Sequence, residues 1–381
     1  MIEQLANVPA VSFIDNLTLE DVQAALVDAY QTKYQELTGR PIRLGRADAE
    51  TLKMYAASVV IYQALLYVQC AGEQNLLPTS YGAALDNLAA LKGVARLPAQ
   101  PAETIVRFTL SAPLASAATI PAGTKVTAGN GIFFATAEQT EIPPGELTAD
   151  VRCICDHAGA AGSGIAPGLI NTLVDLLPYV TSVTNITASQ GGADIEDDES
   201  LAERVYLAPS AYSTAGPRDA YKYHARSYSP LIGSVCVTSP LPREVEVRVL
   251  LRDGTLPGES ILEGVAERLN DDTVRPLTDL VRVLAPEVVQ YDIEVEYWIG
   301  RVNAAQAVTI QQRVGAAVED YKLWQCSEIG RDLNPAQLLA RIIAAGAKRA
   351  NVAEPTFQIL PGTSVAQLNN CTVTYRGIED D

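Results

Sequence analysis

Few residues in this chain are equipped for chemistry. His157 and His224 are its only two histidines, so a Ser-His-Asp or Cys-His site must use one of them. His224 lies in Tyr221-Lys222-Tyr223-His224-Ala225-Arg226. No triad signature surrounds it, and it reads as a solvated or hydrogen-bonded helix histidine. Cys153-Ile154-Cys155-Asp156-His157 is a sharper pattern, because on a strand all three ligand-type side chains point to one face. Alternate strand residues nevertheless lie about 6.5–7 Å apart. Zinc bonds are about 2.0–2.3 Å, so the three cannot converge without a bend. A reduced, partly buried strand face is the expectation. Asp194-Ile195-Glu196-Asp197-Asp198-Glu199 offers oxygen ligands for calcium but lacks the glycine and the spaced final Glu of a calcium loop. Its acids suit the start of a helix, with Asp198 or Ser200 as cap. Gly159-Ala160-Ala161-Gly162-Ser163-Gly164 has no Lys-Ser/Thr after it and is a turn-rich β connection rather than a phosphate cradle. Aromatics at 6% give no sign of a glycan groove. The expectation is a protein with no catalytic residue, no metal and no cofactor, and not an enzyme.

The elements around these residues fall into four stretches. Residues 1–97 are expected to be helical. Thr18-Leu19-Glu20-Asp21 starts a helix, with acids favouring its dipole, and Gly39 and Pro41 stop it. A second helix runs from near Asp48 to about Ala71. On it Leu52, Tyr55, Val59, Tyr62 and Leu66 form a stripe with apolar residues on both sides, and such a helix needs more than one neighbour. These five residues are the candidate interface. Residues 98–190 are a small all-β module of short strands and Gly/Pro turns. Residues 191–242 are a helical connector. Residues 243–381 alternate strands and helices, which suggests a C-terminal α+β domain of the ferredoxin-like split βαβ kind. The fold class is α+β, multidomain.

Composition bounds the rest. The chain has 381 residues, 48% hydrophobic and 19% charged, which is ordinary globular composition, roughly two or three domains long. A net charge of −17 repels nucleic-acid phosphates and anionic lipids. The start, Met1-Ile2-Glu3-Gln4, lacks a basic segment followed by an apolar run. The apolar stretch from Val59 to Val68 is broken by Gln63 and is shorter than the ~20 residues of a spanning helix. Neither nucleic acid nor membrane is expected as a partner. Synthesis in the cytoplasm is expected, and the six scattered cysteines should be reduced.

One ordered set of motifs goes further. Ile120-Pro121-Ala122-Gly123-Thr124 is followed by Gly191-Gly192-Ala193-Asp194-Ile195-Glu196. A segment ending in Arg204 comes next, and then Ser213-Thr214-Ala215-Gly216-Pro217 and Tyr221. This order resembles the baseplate J-like family of contractile tails over roughly Pro98 to Ile299. Gly191 and Gly192 allow backbone conformations closed to other residues, Pro217 suits a first helical turn, and Arg204 is placed to meet a carboxylate of the acidic loop. With Asp194, Glu196 and Gly216 they form a structural junction. The resemblance implies a non-enzymatic wedge subunit of a phage-tail, tailocin or related injection-system baseplate, assembled into the tail particle. Its N-terminal helices would bundle with partner wedge proteins. Its C-terminal domains would meet further copies to close a ring around the tail tube, with the hub and sheath as indirect neighbours. Two other readings stand beside it: a carbohydrate-binding or adhesin-type β module on a helical stem, and a hydrolase.

Overall fold

In a computed structural model of the chain, residues 8–129, 131–212 and 216–380 are described. The chain divides into two units, Met1–Arg96 with Asp198–Tyr206, and Leu97–Asp197 with Leu207–Asp381.

The first unit is helical. Helix α1 (Leu19–Thr38) opens on a capping box in which the Thr18 side chain accepts from the Asp21 N–H and the Asp21 carboxylate accepts from the Thr18 N–H. It ends at Gly39 in the left-handed conformation, φ 70°. Helix α2 (Ala49–Glu73) packs along α1, and its buried residues are small and polar, Thr51 and Ser58. Ser58 returns its hydroxyl to the Tyr55 carbonyl at 2.7 Å. Near the far end of α2, the Phe13 ring lies where a Cβ on Gly72 would stand, and the Phe13 N–H donates to the Gln69 amide oxygen at 2.7 Å. Helix α3 (Gly82–Ala90) contributes buried Leu85 and Ala89.

The second unit begins with a nearly closed six-stranded sheet. Its strands are β1 (Pro101–Leu110), β3 (Lys125–Thr127), β4 (Phe133–Thr136), β6 (Thr148–Ala158), β7 (Thr172–Leu173) and β8 (Val180–Asn185), in the order β7-β3-β4-β6-β1-β8. A side ribbon pairs β2 (Ala118–Ile120) with β5 (Thr140–Ile142). β1 lies between β6 and β8 and is antiparallel to both. Its period-two pattern sends Ala102, Val106, Phe108 and Leu110 inward. The sheet's two ends approach where the Asn185 N–H donates to the Ile170 carbonyl at 3.1 Å.

Next come helix α4 (Asp198–Leu207), of which residues 198–206 belong to the first unit, and helix α5 (Arg218–Arg226). The second unit then holds two three-stranded sheets. The first orders β9 (Ile232–Thr238), β10 (Glu244–Leu251) and β11 (Leu280–Leu284) as β11-β10-β9, with helix α6 (Glu259–Leu269) crossing between parallel β10 and β11. The second orders β12 (Glu287–Gly300), β13 (Arg349–Glu354) and β14 (Ser364–Glu379) as β13-β12-β14, covered by helices α7 (Ala307–Cys326) and α8 (Pro335–Ala344).

This corrects the expectation of a ferredoxin-like split βαβ domain over 243–381. In both sheets the two parallel strands are adjacent, with no strand between them. The boundary expected at 243 also divides an antiparallel pair, since Val247 on β10 stands opposite Val237 on β9. The partner strand β9 lies in the stretch expected to be a helical connector. A second correction concerns α2. It has 25 residues and an 18-residue window of mean hydropathy 1.4, of which only 6% is buried, so by length and composition alone it is enough to cross a membrane.

Candidate functional site

The junction motifs act as structural clamps. In the Ile120-to-Thr124 turn, Gly123 takes φ 81°, a conformation that glycine adopts without penalty. The Thr124 and Thr136 hydroxyls both donate to the Pro121 carbonyl, at 2.8 and 2.7 Å. The Thr124 N–H donates back to the Thr136 hydroxyl at 3.0 Å. Two threonines thus pin the turn against β4.

Gly191 has φ 84°. Gly192 is needed for a different reason: a Cβ there would stand 2.5 Å from the Gly159 carbonyl oxygen. Its N–H donates to the Ser163 hydroxyl at 2.8 Å. The Gly159–Gly164 loop is therefore a docking surface for the Gly-Gly segment, as its small residues require.

The acidic loop that follows disperses its carboxylates. Asp194 accepts from the Ala160 N–H at 2.9 Å. Glu196 is buried and accepts from the Leu97 N–H at 2.9 Å. Asp197 meets Arg252 at 3.3 Å. Asp198 meets Arg96 at 2.6 Å and also accepts from the Gly82 N–H at the start of α3, at 3.2 Å. Calcium binding needs these oxygens to converge, and here each is held by a different partner. Burial and two carboxylates, Asp198 and Asp86, act on the Arg96 guanidinium, and the net result raises its pKa. Arg96 was not singled out in the sequence. Its partner Asp198 lies 102 positions away, and no local pattern links them.

Arg204 is 4% exposed, so it is not the solvated arginine that exposed pairs make a fair expectation. It donates to the Ala95 carbonyl at 2.6 Å, on the chain segment that also carries Arg96. Pro217 stands one position earlier than expected, as the N-cap of α5 rather than inside its first turn. Gly216, φ 67°, is backed by Pro276, 2.8 Å from where a Cβ would sit. Tyr221 donates its hydroxyl to Asp279 at 2.6 Å, and burial, reinforced by that carboxylate, raises its pKa. Gly216 and Tyr221 thus hold α5 on the turn from Pro276 to Asp279. Ser213, Thr214 and Ala215 of the same motif lie outside the described residues.

The residues that could do chemistry stay apart. Cys153 and Cys155 point into the sheet's core, and burial pushes the Cys153 thiol up to about 12, which disfavours the thiolate a metal needs. His157 is exposed. Among the described residues no three His, Cys, Asp or Glu side chains form a metal-sized cluster. His224 is less solvated than the sequence suggested. Burial, with Arg268 nearby, lowers its pKa, and its ring meets the Tyr223 ring edge-on at 5.3 Å.

The candidate interface stripe is open. Leu52, Val59 and Leu66 are exposed, while Tyr55 and Tyr62 are half-buried. Sequence reasoning missed Val60, Ile61, Tyr67 and Val68, which are exposed as well. A stripe was sought at helical spacing, whereas this helix is apolar all round.

Residues 105–192 match the barrel domain of the baseplate J-like family. Residues 213–285 match that family's central domain. Both stretches are thus similar to domains of the baseplate J-like family. The barrel match covers the nearly closed sheet and ends at Gly192, the glycine whose missing Cβ lets it dock. The central-domain match takes in α5, β9, β10, α6 and β11 as one piece. Among proteins similar to this one is the baseplate protein J of Escherichia phage P2, 28% identical over 194 residues. That match spans 51% of this chain and 63% of the phage protein. A chain in the cryo-EM structure of the anti-feeding prophage baseplate is 15% identical, with a TM-score of 0.43 over 94% of this chain and 92% of that one.

Proposed function

We propose that this baseplate J-like chain is a structural wedge subunit of a contractile-tail baseplate, in a phage, a tailocin or a related injection system. In this reading its N-terminal helices bundle with partner wedge proteins. Its C-terminal region meets further copies of the chain in a ring around the tail tube, with hub and sheath as more distant neighbours.

The observation that carries it is helix α2. A 25-residue helix with Leu52, Val59, Val60, Tyr67 and Val68 all about half exposed or more leaves in water a surface that a finished assembly would cover. Exposed apolar patches of this kind mark interaction sites, and apolar residues at helical spacing suit a helix-in-groove or bundle contact. Within the chain, α1, the Phe13 segment and Tyr81 meet α2. The junction is consistent with a plate: its carboxylates and arginines are spent on holding segments together.

The test is native mass spectrometry of the chain co-expressed with the tail proteins encoded beside it. A defined heteromer is expected, and Leu52→Asp with Val59→Asp should abolish it while the barrel stays folded. Unchanged heteromers in that variant would show that α2 is not the contact. Flotation of the chain with lipid vesicles, lost in the same variant, would make α2 a membrane segment and sink the wedge reading.

A further inference from the structure

The C-terminal sheet has one edge unlike its others. β14 has 16 residues and pairs with β12 in parallel along one side. Among the described residues no strand pairs with its other side. Natural proteins guard unpaired edges with short strands, charges, prolines or bulges. β13 follows that rule, with six residues, Arg349 and Glu354 at its ends, and Pro355 next. β11 follows it too, with five residues around Arg282. β14 has no charged residue and no proline from Ser364 to Tyr375. Its register with β12 shifts after Leu368 and again after Tyr375, so Asn370 to Tyr375 is a regular stretch between two irregular ones.

That regular stretch also carries core-side residues that stay exposed beside helix α7. Cys371 and Val373 stand beside Ile293 and Val295 of β12, which are buried in the helix-covered core. Directly paired residues share a face, so Cys371 and Val373 continue the core layer, yet both are exposed.

We infer that the open edge of β14 is a self-pairing surface, on which the same strand of a second copy lies antiparallel about a two-fold axis at Val373. The inference builds on the reading that copies of this chain meet through the C-terminal region, and it names the strand. Three properties select a second copy. An isologous contact must be self-complementary, and this one is. With Val373 opposite itself, Cys371 faces Tyr375 of the copy on the core side. On the other side Thr372 faces Thr374, a favourable cross-strand pair. Asn370 faces Arg376, the nearest charge, so no like charges are opposed. The paired stretch, from Asn370 to Arg376, has the length of an ordinary strand, about 5–6 residues.

The test uses the full chain alone, under reducing conditions, by sedimentation velocity over a rising concentration series. The wild type is expected to dimerise. Thr372→Lys with Thr374→Lys sets lysine against lysine twice and should weaken the dimer about tenfold or more. Both positions stand beside Glu294 and Glu296 of β12, which suits a lysine in the monomer, and circular dichroism checks that the fold is kept. As a second variant, Val373→Cys in a Cys371→Ser background should give, on mild oxidation, a disulfide between the two copies mapped by mass spectrometry to position 373. A wild type that stays monomeric throughout, a dimer indifferent to the lysines, or cross-links that avoid position 373 would each overturn the inference. Binding to neighbouring tail proteins without self-pairing defeats this inference alone. Self-pairing without such binding defeats the wedge reading alone.

Discussion

The barrel and the N-terminal helices solve the problem of apolar surface in opposite ways. The barrel turns its apolar residues inward on a nearly closed sheet: Val106, Phe108, Ile120, Val126, Phe134 and Ile142 have no exposed surface. Helix α2 carries as strongly apolar a sequence, and its only buried residues are Thr51 and Ser58. A sheet that curls on itself supplies its own partner, whereas one helix beside another covers a single stripe of each. The barrel therefore buries its own apolar residues, and α2 leaves most of its apolar residues exposed.

Removing buried volume from the barrel should give the largest effect. Phe108→Ala is expected to cost about 3–5 kcal/mol, read as a lowered midpoint in denaturant unfolding of the isolated chain. A shift near zero would mean that the barrel core is not what holds this unit together.

Next comes the docking of the barrel's last segment. Gly192→Ala puts a Cβ against the Gly159 carbonyl and should destabilise by about 1–3 kcal/mol. Gly191→Ala, at φ 84°, strains only the backbone and should cost about 1–2 kcal/mol. Equal effects in thermal unfolding would refute the close-approach account of Gly192.

A smaller effect is tied to pH. The folded protein holds the His224 pKa below its ordinary value of 6.5, by burial and then Arg268. The unfolded chain therefore binds more protons in the window below 6.5, and stability falls as pH falls from there through the depressed folded value. Unfolding midpoints measured across that window should decline, and the decline should shrink in His224→Gln. A decline of the same slope in the variant would assign it to other groups.

The smallest stability effect is expected on the open helix. Leu52→Asp with Val59→Asp touches side chains already half in water, and the unfolding midpoint should move by no more than about 0.5 kcal/mol, as at ordinary surface sites. A loss as large as that of Phe108→Ala would mean that the isolated chain itself covers this face, and the comparison would collapse.

Much of the local structure was legible in the sequence. The Thr18 cap and the Gly39 stop rest on neighbouring residues alone, and both lie where those residues placed them. The motif order pointed to the baseplate J-like family because each motif is a local clamp with few residues able to serve. The full apolar girth of α2 was underestimated because Gln63 was taken as a break, when a single amide does not interrupt a helix.

What the sequence by itself determined is most of the elements and their class, since propensity, period and turn chemistry act over a few residues. Only the tertiary structure decided which element pairs with which. It placed β9 beside β10 across the expected boundary, set Arg96 between Asp86 and Asp198, buried Arg204, dispersed the acidic loop among separate partners and, among the described residues, left β14 with an unpaired edge. Such pairings join residues far apart in the chain, and their energies depend on geometry that no local window of sequence contains.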